Sequence, residues 1–215
     1  MTAYAPEIAK LLNYGVAEAT ANWPDYVREL GLGEQHIDAL IRMATDAALY
    51  DADAEPLQAS APVHAWRALG QLRASSAVSP LLEVLDQRQS DWTIMEIPEV
   101  IGMIGAPALA TLASWMADES RREAVMYGVI RSLVEVAHRE PDTAKDVVGL
   151  LIKRLEKYRD NDFSVNAYLV EALCKLRAKE AFALIKEVYL RQRADVTIFH
   201  WDQVLEALGI HDEDD

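Results

Sequence analysis

Hydrophobic positions in this chain fall three or four residues apart far more often than two. Between residues 144 and 159, Val147, Val148, Leu151, Ile152, Leu155 and Tyr158 share one face. Lys145, Lys153, Arg154 and Lys157 are expected largely on the other, as in an amphipathic helix against a core. Val165, Tyr168, Leu169, Ala172, Leu173 and Leu176 draw a second stripe, and Val125, Val129, Leu133 and Val136 a third. No Asn-Gly or Asp-Gly pair marks a hairpin turn, so the chain reads as all-α. Helix starts are signalled by Pro62, Pro107 and Pro141. Thr93 with Glu96, and Ser120 with Glu123, stand at capping-box spacing.

The stripes repeat. Ala68-Leu69-Gly70-Gln71-Leu72, Val100-Ile101-Gly102-Met103-Ile104, Ser132-Leu133-Val134-Glu135-Val136, Ala172-Leu173-Cys174-Lys175-Leu176 and Ala207-Leu208-Gly209-Ile210 can be laid over one another. Their aligned Leu and Ile positions are separated by 32, 32, 40 and 35 residues. After each of the first four comes a short break and a second apolar helix, at 78–85, 108–116, 147–155 and 182–189. Two helices in about 30 to 47 residues is the period of an α-solenoid. Gly70, Gly102, Val134, Cys174 and Gly209 share one register of small or modest residues, where the first helix of each pair would approach its neighbour closely. Cys174 is on that reading a buried packing residue rather than a reactive thiol, and Leu in place of Gly102 would overpack the seam.

The string from Val63 to Arg73, containing Trp66-Arg67-Ala68-Leu69-Gly70, followed by Ala77-Val78-Ser79-Pro80-Leu81-Leu82-Glu83-Val84-Leu85, resembles a HEAT repeat. It is most similar to the short HEAT-like subtype of phycobilisome lyase subunits, and the likeness runs over residues 62–210. The resemblance implies a right-handed α-α superhelix, a HEAT-like α-solenoid whose second helices line the concave face. It implies a binding scaffold more than any particular chemistry. Residues 1–61 then serve as an atypical helical N-terminal cap. Helices are expected at 6–12, from Trp23-Pro24 through Leu30, and at 34–50, with an acidic loop at 51–61. Residues 211–215 form an acidic tail, and all three parts belong to one structural domain.

Charge sharpens the functional reading. The 215 residues carry 21 Lys and Arg against 35 Asp and Glu, a net charge of −14 that argues against nucleic acid or an anionic membrane as partner. Residues 100–117 lack formal charge, but Gly105-Ala106-Pro107 in their middle reads as a turn between two short buried helices. With no basic leader at the N-terminus, a cytoplasmic location is expected. The acidity is uneven: residues 1–120 hold 6 basic and 17 acidic side chains, whereas 145–193 hold 11 and 7. Lys153, Arg154 and Lys157 on a second helix are therefore candidate contacts for an acidic protein partner. Trp115 joins them if it faces inward, or packs with Leu109, Leu112 and Met116 if it does not. Five tryptophans leave self-association open.

No catalytic or metal constellation is legible, and no cofactor is expected. The five histidines, His36, His64, His138, His200 and His211, never stand three or four apart, the spacing of a metal pair on a helix. None is followed by Glu, so the His-Glu ligand set of HEAT-like di-iron enzymes is missing. His200-Trp201-Asp202 fits a capping role better than a dyad. The expected function is a non-enzymatic protein-interaction scaffold. The alternative implied by the resemblance is a bilin lyase subunit, or a relative of one, holding a tetrapyrrole in its groove.

Overall fold

The computed structural model describes residues 4–18, 22–50, 55–88 and 90–210. All regular structure among them is helical, as the periodicity requires. The chain divides into two compact units, Met1–Ala108 and Leu109–Asp215.

The first unit holds α1 (Pro6–Ala9), α2 (Tyr26–Leu30), α3 (Ile37–Ala44), α4 (Pro56–Ala59), α5 (Ala61–Gln71), α6 (Val78–Gln87) and α7 (Asp91–Ile104). Its centre is α5, buried at every position from Ala61 to Gly70 and packed between α3 and α7. Such all-round burial explains why α5 reads as apolar beyond a single stripe. The helix expected over 34–50 is broken into 3-10 turns at Glu34–His36 and Ala47–Tyr50 around α3. The Thr45 hydroxyl donates to the Ile41 carbonyl at 2.9 Å, and the Asp46 carboxylate accepts from the Ala48 N–H at 3.0 Å. These side chains offer the backbone partners outside the helix ladder, and the helix stops. Residues 51–54 of the expected acidic loop lie outside the described residues; most of its remainder is α4, opened by Pro56, and the start of α5. The acidic tail, His211 included, also lies outside them.

The second unit holds α8 (Leu109–Ala117), α9 (Glu123–Arg139), α10 (Ala144–Leu155), α11 (Phe163–Lys175), α12 (Phe182–Leu190) and α13 (Trp201–Leu208). Helices α9, α11 and α13 lie side by side in one layer, with α8 and α10 beside each other in a second. The breaks between paired helices share one geometry in both units. A 3-10 turn (Ser75–Ala77, Ala106–Ala108, Pro141–Thr143, Lys179–Ala181) precedes each second helix and ends on a small buried residue. The N–H groups of Ala77, Ala108, Thr143 and Ala181 donate to the carbonyls of Ala74, Gly105, Glu140 and Ala178 at 2.8–3.0 Å.

Two details of the repeat differ from the sequence expectation. Both capping boxes are misplaced. Ser90, not Thr93, caps α7: its hydroxyl accepts from the Thr93 N–H while the Thr93 hydroxyl accepts from the Ser90 N–H. Ser120 bonds Asp118 instead, and α9 starts after Arg122 without a side-chain cap. The small-residue register also splits in two. A Cβ on Gly70 would stand 3.2 Å from the Val100 carbonyl oxygen, so here α5 and α7 do approach closely. Gly209 instead ends α13 in the left-handed region at φ +63°, the geometry of a helix C-cap. Val134 and Cys174 are buried.

The 40-residue interval is accommodated between α10 and α11. Buried Asn161 and Asn166 stitch the connecting turn together. The Asn161 amide donates to the Arg154 carbonyl at 3.1 Å and to the Asn166 side chain at 2.9 Å. The Asn166 amide donates to the carbonyls of Tyr158 and Arg193 at 2.8 and 2.7 Å.

Candidate functional site

Val147, Leu151 and Arg154 stand at spacings of four and three, which is one face of α10, and all three are buried, as is Tyr158 in the turn that follows. Arg154 therefore belongs to the apolar stripe of α10, not to the polar side where it was expected with the lysines. The spacing alone carried that signal; the charge of the residue obscured it. Lys153 remains exposed on α10, and Lys157 is exposed in the turn that follows. The three cations still meet, because they line one cavity of about 130 Å³ whose apolar walls include Ala113 and Met116 of α8 and Leu150 of α10.

The Arg154 side chain is 8% exposed, and its Nε and Nη1 atoms have no hydrogen-bond partner. Lys157 is not free in the same way, since it forms an ion pair with Glu119. The hydrogen bond and charge of Lys157, with a smaller contribution from the charge of Arg154, hold the Glu119 carboxyl below its ordinary pKa. Trp115 does not line this cavity. It is buried, and the Arg121 guanidinium lies over its ring at 3.9 Å, itself tied to Asp118 at 2.9 Å. Of the five tryptophans, Trp66 and Trp115 are buried and Trp23, Trp92 and Trp201 are half-buried.

A second buried arginine gives the contrast. Arg67 on α5 is 2% exposed, yet its Nε donates to Glu96 at 2.9 Å and its Nη2 to the Glu18 carbonyl at 2.9 Å. Trp66 Nε1 donates to the same carboxylate at 3.2 Å, and the Trp23 ring lies 4.9 Å from the guanidinium. Beside it, the Tyr26 hydroxyl meets His64 Nδ1 at 2.8 Å while His64 Nε2 meets the Gly15 carbonyl at 3.0 Å. The carbonyl can only accept, so Nε2 carries the proton and Tyr26 donates to Nδ1. A cavity of about 230 Å³ borders Tyr26, His64 and Arg67, but these polar groups already have partners. A third cleft, about 160 Å³ between α9 and α11, has mixed charge, with Lys175 paired to Glu171 at 2.8 Å.

The remaining titratable candidates are structural. Cys174 is buried, and burial, followed by the nearby Glu171 charge, pushes its thiol up to about 12. The imidazole of His200 caps α13, accepting from the Asp202 N–H at 3.4 Å. Among the described residues, no three His, Cys, Asp or Glu side chains gather where they could hold a metal ion. Nor is any single helix among them long and apolar enough to cross a membrane.

Recurrent helix pairs, the shared 3-10 break and the close α5–α7 contact define an all-α helical-repeat protein. Comparison with known families names the repeat: the family model of the PBS lyase HEAT-like repeat matches residues 64–87, which run from within α5 to the end of α6. Over that span the chain is similar to the HEAT-like repeat of the PBS lyase type. No curated protein and no solved structure matches it.

Proposed function

We propose that the chain is a cytoplasmic, non-enzymatic binding module that holds a negatively charged segment of a protein partner against the α8–α10 face of its second unit. The observation that carries this reading is the convergence of Lys153, Arg154 and Lys157 on one cavity in a chain that is otherwise acidic. Charge complementarity of this kind selects partners and sets their orientation. The cavity is well below the roughly 300 Å³ at which pockets for whole small molecules begin. It suits one anchoring side chain better than an enclosed substrate.

The test is affinity capture from a source-cell lysate at low and high salt, with a Lys153→Glu/Lys157→Glu variant alongside. The reading expects a specific protein that the wild type retains, the variant loses and high salt releases. Equal retention by both forms, or none by either, removes it. The family name of the repeat brings a second reading, that of a lyase-like subunit presenting a bilin to an acceptor protein. Co-expression with a bilin separates the two: a colourless protein favours the scaffold, and a coloured stoichiometric complex favours the lyase reading.

A further inference from the structure

A buried polar group without a partner in a folded protein calls for an explanation, and among the described residues Arg154 alone presents one. Arg67 shows how this same chain treats a buried guanidinium: it supplies a carboxylate, a carbonyl and an aromatic face. Among the described residues nothing comparable is supplied to Arg154, although its backbone carbonyl is fixed by Asn161 and its helix is packed on two sides. Glu119 is near enough to feel its charge, yet the hydrogen bond of that carboxylate goes to Lys157. The guanidinium is thus held in place, largely removed from water, and left with Nε and Nη1 unpaired among the described residues.

We infer that the cavity beside Arg154 is an acceptor site for one carboxylate side chain of an acidic peptide segment, with Arg154 as its anchor and Lys153 and Lys157 at its mouth. This rests on the binding-module reading and names the chemistry at its centre. A carboxylate offers the guanidinium fork two anionic acceptors and an opposite charge, whereas an amide of the same shape offers one neutral acceptor and a donor group that the fork cannot use. The walls formed by Ala113, Met116 and Leu150 suit the methylene arm of such a side chain. Among the described residues no acidic side chain offsets the Lys153 charge by an ion pair, whereas Lys157 must exchange or share Glu119. An arriving carboxylate therefore meets a positive site despite the acidity of the whole chain.

The experiment titrates the full chain with a fluorescein-labelled tetraglutamate peptide, followed by anisotropy, with a tetraglutamine peptide as control. Arg154→Met, Arg154→Lys and Lys153→Gln/Lys157→Gln variants are run in parallel, and each is melted without peptide. The inference expects the wild type to bind tetraglutamate and not tetraglutamine. Arg154→Met should weaken binding at least tenfold while melting at or above the wild-type temperature, since an unpaired buried charge is replaced by an apolar side chain of similar length. Arg154→Lys, which keeps the charge but not the fork, should lose affinity as well. If Arg154→Met binds as the wild type does while the lysine variant does not, the face binds acid but the Arg154 site is wrong. If the wild type fails to distinguish the two peptides, the binding-module reading falls with it. A melting temperature well below wild type in Arg154→Met assigns the side chain to the core and overturns the inference. Inorganic phosphate that displaces the peptide in an Arg154-dependent way overturns the choice of carboxylate.

Discussion

Arg73 and Arg177 both hold φ at +53°, each one residue past the end of the Leu-x-x-Leu segment of its repeat. The N–H of Arg177 donates to the Cys174 carbonyl at 2.9 Å and that of Ala178 to the Leu173 carbonyl at 2.9 Å, so the helix ends in a left-handed cap built on a side chain that disfavours it. Arg177 is exposed, so little packing opposes a change there. Arg177→Gly is expected to stabilise the protein by about 0.5–1 kcal/mol, less the entropy a glycine adds to the unfolded chain. An unchanged or lower urea midpoint would show that the arginine side chain contributes what its backbone loses. His64 sets a second expectation at this scale. Burial, and then the charge of Arg67, lower its pKa from 6.5 against the opposing effects of the Gly15 hydrogen bond and Glu96. Above pH 6.5 the imidazole is neutral in both folded and unfolded chains and costs nothing. As pH falls below 6.5, the unfolded chain takes up a proton that the folded chain resists, and stability drops until the folded pKa is reached. Thermal melts between pH 7.5 and 5 should therefore fall more steeply for the wild type than for His64→Gln; parallel slopes would mean that another group governs the window.

At the scale of the helix, two glycines give opposite expectations. Gly70→Leu forces atoms into the α5–α7 contact, where even a Cβ would sit 3.2 Å from a backbone oxygen, and should cost about 1–3 kcal/mol. Gly149, on the exposed side of α10, has nothing within 4 Å of an added Cβ. Gly149→Ala should stabilise by up to about 1 kcal/mol through helix propensity alone. Chemical denaturation of both variants checks the pair, and two changes of the same sign would contradict the assigned packing. The helix pairs were legible from the sequence because each has a strong apolar stripe, and the repeat was legible because those stripes recur at a near-constant interval. The 3-10 breaks were not, since a buried Ala or Thr at the end of a turn looks like any small loop residue. The caps failed for a related reason: Thr93 sits at the third helical position, where a hydroxyl serves a box begun by Ser90. The candidate site was half legible. Its three cations were visible as a cluster, but placing Arg154 with the lysines by charge hid its position on the Val147–Leu151 face of α10. Trp115 was open from sequence, because nothing there indicates that Arg121 closes over its ring.

For the whole molecule, the charge balance makes the approach of an acidic partner depend on distance. The chain carries a net charge of −14, while the positive site is a local cluster of Lys153, Arg154 and Lys157. At about 0.01 M salt the screening length is roughly 30 Å, and an approaching polyanion feels the repulsion of the entire protein. Near 0.15 M the length falls to about 8 Å, so the distant carboxylates fade while the cluster is still felt on contact. At about 1 M, with a screening length near 3 Å, the cluster is screened too. The association rate of the tetraglutamate peptide should therefore rise and then fall with salt, with a maximum at intermediate ionic strength. Stopped-flow anisotropy from 0.01 to 1 M sodium chloride would trace it, with concentrations set as about these limits. A rate that only falls would mean that the local field dominates at every range. A rate that only rises would mean that the peptide meets no positive site, and the α8–α10 face would lose its assignment.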